Sequence, residues 1–61
     1  LGKKVRLAYI FDMAPMVLHK MVGLSGEVKE RDKYKPSVWL VVFEETEKHV
    51  WIDQKYLKEI E

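Results

Sequence analysis

The 61-residue chain has no cysteine, two prolines and three glycines. Without thiols it has neither a disulfide staple nor a thiolate for metal or nucleophilic chemistry. His19 and His49 stand alone, and two lone ligands do not hold a metal, so no cofactor is expected. No apolar run approaches the roughly 18 residues of a membrane-crossing helix, and no secretory leader pattern opens the chain. Strong charge of one sign is also missing. The formal net charge is +1, whereas dedicated nucleic-acid binders carry strongly basic domains. We therefore expect an intracellular chain, cytoplasmic or nuclear, with no membrane contact and no small-molecule substrate.

What is present is a hydrophobic fraction of 48%, with two Trp, three Tyr and two Phe, which suffices for one unstapled core. A chain of this length buries only about 60% of its unfolded surface, so each large apolar side chain counts. Residues 1–61 read as a single domain, and a start at Leu1 suggests a module of a longer polypeptide. Charge is uneven, with eight Lys or Arg against four acids in residues 1–35, and three against six in residues 36–61.

Lys3 to Ile10 alternates, with Val5, Leu7 and Tyr9 in one phase and Lys4 and Arg6 in the other, the mark of a half-buried strand. Residues 11–22, FDMAPMVLHKMV, lose that period and contain Pro15. They read as a long loop with one helical turn, or as a short helix capped by Asp12 and stopped by Gly23. Gly23 to Val28 is a glycine turn feeding a second strand through Arg31, its glycines suited to positive φ. Asp32 to Pro36 is turn chemistry. Ser37 to Phe43 is a β-branched and aromatic strand, apolar on both faces. A polar hairpin at residues 44–48, a strand at His49 to Ile52, a helical turn at residues 53–57 and a short closing strand complete the chain. Such spacing predicts an all-β fold, a small five-stranded barrel with a long first loop and one helical turn before the last strand.

That element order resembles the Src-homology-3-like barrels. Gly23-x-x-Gly26-x-Val28 is similar to the glycine turn of KOW domains and of the electron-transport accessory barrels of photosystem I and ferredoxin–thioredoxin reductase. Val38-x-Leu40-x-Val42-Phe43 with Thr46, Trp51-Ile52, Leu57 and Glu59-Ile60 is similar to the second half of the Tudor-like CPH domain of cullin-type and HERC-type ubiquitin ligases. The resemblance implies a non-catalytic protein-interaction module. The hairpin after Phe43 lacks an aromatic residue for a methyl-lysine cage.

Three constellations carry candidate chemistry. Met13, Met16 and Met21 lie in the first loop, where methionine serves either a core gap or an adaptable binding surface. In the Ser37–Phe43 strand, Trp39, Val41 and Phe43 share one phase and Val38, Leu40 and Val42 the other; alternation leaves open which lines the core. Lys4, Arg6, Lys29, Arg31 and Lys33 form a set suited to phosphates if the first two strands are neighbours, with Tyr34 among the lysines as a stacking ring, though Glu27, Glu30 and Asp32 interrupt it. Serines, Thr46 and the acid-rich hairpin stand in no recognisable nucleophile or acid–base context, so no enzyme is expected. The expected contact surface for a protein partner is Met13, Met16 and His19, flanked by Tyr34 and Trp39. The alternative is a KOW-type nucleic-acid or ribosome contact through the basic set and Tyr34.

Overall fold

Val5 and Leu7 are 1% and 0% exposed while Lys4 and Arg6 face solvent, and this alternation is the first strand, β1 (Lys4–Leu7). The computed structural model describes residues 2–60. After β1 come a short helix α1 (Met16–Lys20), β2 (Ser25–Arg31), β3 (Val38–Phe43), β4 (His49–Asp53), a 3₁₀ turn at Gln54–Tyr56, and β5 (Leu57–Glu59). The strands form one antiparallel sheet in the order β4-β3-β2-β1-β5. The fold is therefore all-β with one short helix. Among the described residues no ladder joins β4 to β5, which stand as the two edges of the sheet.

The core is Val5, Leu7, Met21, Val28, Val41, Phe43 and Ile52, with Leu18, Leu24, Trp39 and Tyr56 among the side chains packed against it. Fully burying one such large side chain is worth about 1.5–3 kcal/mol. The phase left open in β3 is now decided. Val41 and Phe43 are fully buried and Trp39 is half-buried on the same side. Opposite them across the ladders lie Val28 of β2 and, beside Trp39, Ile52 of β4. Trp51 falls in the other phase, opposite Leu40, and is 49% exposed. Of the three aromatics in these strands, Phe43 and Trp39 are core-side and Trp51 is not.

The β2–β3 register shifts between Val28 and Glu30, so Lys29 is an extra residue. Such a bulge bends the strand and increases its twist. The two motif glycines answer different needs. Gly23 has φ +95° and donates its N–H to the Leu7 carbonyl at 2.7 Å, closing the return of the loop. Gly26 does not share that positive φ; it lies where a Cβ would come within 2.7 Å of the Val42 carbonyl oxygen and 2.8 Å of Val41 Cγ1.

The loop carries the expected helical turn, α1, but Asp12 does not cap it. Pro15 occupies the N-cap position with extended ψ and no side-chain bond, and its carbonyl accepts from the Leu18 and His19 N–H groups at 2.9 and 3.3 Å. The 3₁₀ turn is capped: Asp53 Oδ1 accepts from the Lys55 N–H at 3.0 Å.

Candidate functional site

Continued alternation would place Tyr9 inward with Val5 and Leu7. The structure corrects this, because β1 ends at Leu7. The Leu7 N–H donates to the Leu24 carbonyl at 3.1 Å and the Ala8 N–H to the Tyr56 carbonyl at 2.9 Å. These bonds carry the two ladders one residue further, the second of them to the 3₁₀ turn, and the strand ends there. Tyr9 then meets Tyr56 edge to face, centroids 5.0 Å apart at 75°, and Phe11 lies 6.0 Å from the same ring. Such pairs add about 0.5–1.5 kcal/mol beyond their buried area. Tyr9 and Phe11 nonetheless remain 53% and 47% exposed, and the Lys55 ammonium sits 5.2 Å over the Tyr56 ring. Three rings, one rooted in the core and two half in solvent, form an apolar surface beside a cation.

The residues expected to meet a protein partner are dispersed. Met13 is 90% exposed and Met16 69% exposed, whereas Met21 of the same loop is buried at 2%. The loop is therefore part core and part surface. His19 is half-buried, with Nε2 3.1 Å from the Asp12 carbonyl oxygen. Tyr34 is 91% exposed on the β2–β3 connection, where Asp32 Oδ1 accepts from the Tyr34 and Lys35 N–H groups at 2.8 and 3.1 Å. Trp39 donates Nε1–H to the Pro36 carbonyl at 3.1 Å and carries the Lys3 ammonium 5.5 Å over its ring. Met16 and Trp39 line separate depressions: one between α1 and the β3–β4 hairpin, the other against Val5, Leu57 and Glu59.

The basic set is partly neutralised. Lys4 Nζ donates to Glu44 Oε1 at 2.7 Å, and that hydrogen bond, then the carboxylate charge, raises the Lys4 pKa above its usual 10.5. Lys29 lies 3.6 Å from Glu27, and Lys3 lies 3.3 Å from Glu59. These pairs are solvent-exposed, where water and salt screen them and they add little to stability. Arg6 faces Lys58 directly across the β1–β5 ladder, while Arg31 and Lys33 are exposed. Among the described residues no three His, Cys, Asp or Glu side chains gather as a metal site, and no helix is long and apolar enough to cross a membrane.

Compared with known proteins, the chain matches no family model, no curated protein and no solved structure. Reading by sequence missed Tyr9, Phe11 and Tyr56 as a group. Its signal is split: two aromatics spaced by two follow the first strand, and the tyrosine of the helical turn lies more than forty residues away.

Proposed function

We propose that the chain is a non-catalytic protein–protein interaction module of the Src-homology-3-like barrel type. In this reading it takes an extended, proline-bearing segment of its partner across Tyr9, Phe11 and Tyr56. The observation that carries the proposal is the three-ring surface itself, two of whose members stay half in solvent although they stack on a third. Support for the barrel type comes from the strand order β4-β3-β2-β1-β5, the long first loop and the 3₁₀ turn before β5. A polyproline II segment suits such rings because it is already extended and loses little entropy on docking. The nucleic-acid alternative draws on the facing Arg6 and Lys58, like charges whose juxtaposition costs stability unless an anion lies over them.

Amide-resolved NMR of the labelled 61-residue chain separates the two. A Pro-x-x-Pro peptide is expected to shift residues 8–11 and 54–56, and Tyr9→Ala to weaken its binding by about thirtyfold, the scale of an aromatic hot spot. Tyr9 is the ring to remove, because it is 53% exposed and its loss leaves the core intact. No shift at those residues would overturn the peptide reading. Shifts at residues 3–6, 29–33 and 58 with short DNA or RNA, fading as salt rises, would put the alternative in its place.

A further inference from the structure

A depression of about 420 Å³ opens between α1 and the β3–β4 hairpin, with apolar walls from Met16, Val17, Met21 and Leu24. Met21, at 2% exposure, belongs to the core, while Met16 and Val17 are 69% and 44% exposed at the mouth. Lys20 from α1, with Thr46 and Lys48 from the hairpin, completes the lining. Both lysines are solvent-exposed, and neither forms an ion pair among the described residues, although Lys3, Lys4 and Lys29 each do. None of these residues belongs to the Tyr9–Phe11–Tyr56 surface.

An apolar recess between two ammonium groups that form no ion pair among the described residues complements a ligand that is apolar at its centre and anionic on its flanks. Its volume lies within the usual range of small ligand pockets, roughly 300–1,000 Å³. Methionine walls adapt to the shape of whatever enters. We propose that this groove is a second docking site, for an acidic linear segment of a protein partner. The segment seats one bulky aliphatic or aromatic side chain in the recess and pairs flanking carboxylates with Lys20 and Lys48. An anionic membrane surface fits less well. Glu45 and Glu47 are exposed on the same hairpin outside the recess, and would face an extended negative plane but not a single inserted segment.

The test titrates the labelled full chain with the peptide Glu-Glu-Leu-Phe-Glu-Glu, with its glutamine counterpart, and with phosphatidylserine-containing vesicles. Saturable shifts at residues 16–24 and 46–48, absent from residues 9–11 and 56, are expected with the glutamate peptide. Lys20→Glu combined with Lys48→Glu should weaken that binding by about fivefold to tenfold, the scale of two exposed ion pairs, without moving the thermal melt. Val17→Asp should block the recess itself. No saturable shift, equal binding of the glutamine peptide, or preference for the vesicles would each overturn the proposal. The proline-peptide titration reads other amides, so either site can fail while the other stands.

Discussion

Replacing Gly26 by alanine tests the account of the sheet most directly. Gly26 is the second residue of β2, opposite Val5 of β1 and Phe43 of β3. An added Cβ meets the Val42 carbonyl oxygen at 2.7 Å and the Val42 carbonyl carbon at 3.1 Å. Both are backbone atoms, so no side-chain rotation relieves the contact and β2 must move away from β3. Overpacking of this kind costs typically about 1–3 kcal/mol. At about 0.05–0.15 kcal/mol per residue, a chain of 61 residues has roughly 3–9 kcal/mol in all. A loss near 2 kcal/mol lowers the melting temperature of so small a domain by roughly 10–15 °C. Circular dichroism melts of the parent, Gly26→Ala, Gly26→Asn and Gly23→Asn make the comparison. At Gly23 the demand is for φ +95° with nothing within 4 Å of the added carbon, so asparagine, which tolerates positive φ, should cost little there. At Gly26 asparagine should cost at least as much as alanine. A Gly26→Ala melt within about 3 °C of the parent, against the roughly 4–8 °C expected per kcal/mol, would refute the reasoning. So would a Gly23→Asn melt below that of Gly26→Ala.

The first loop divides between core and surface, so Met21→Ala should cost about 2–5 kcal/mol, a large share of the total, while Met16→Asp stays within about 0.5 kcal/mol. Urea titration of both variants checks this, and equal midpoints would contradict the division. For Lys4, the hydrogen bond from its ammonium to Glu44 raises the folded pKa above 10.5. A raised lysine value means that the pair's contribution is complete below the unfolded pKa and is lost as pH rises through the folded one. The pair's contribution should therefore be full and independent of pH around pH 7, and should decline above about pH 10.5. The Lys4 side-chain NMR titration should move to a lower midpoint in Glu44→Gln; an unchanged midpoint would remove Glu44 as the cause.

The strands are legible in the sequence because alternation and β-branched runs are local properties. His49–Asp53 runs one residue past the expected His49 to Ile52, and Lys4–Leu7 lies inside the expected Lys3 to Ile10 but ends three residues short of it. The buried side of β3 is not legible, because both its phases are apolar. Register decides it, by setting Val28 against Val41 and Ile52 beside Trp39. Tyr9 follows the pattern of a core residue, yet the strand stops two residues earlier, where Leu7 and Ala8 bond to Leu24 and Tyr56. The aromatic surface joins residues from the two ends of the chain, and no window of sequence contains it. The basic set misleads in the opposite way. Lys4 is counted as a free cation until the fold brings Glu44 to it from forty residues away.

The sheet order also dictates when in folding the surface around Tyr56 comes to exist. β2, β3 and β4 follow one another through short connections, so their ladders close small loops. The β1–β5 ladder pairs Val5 with Glu59 and closes nearly the whole chain. Closing entropy grows with loop length, and such distant pairings are the slow ones. Loop closure therefore favours the meander of β2, β3 and β4 forming before the three residues of β5 dock. The 3₁₀ turn that carries Tyr56 leads directly into that final strand. On this order a half-folded chain carries Tyr9 and Phe11 without the ring that organises them, and only the finished fold sets all three together.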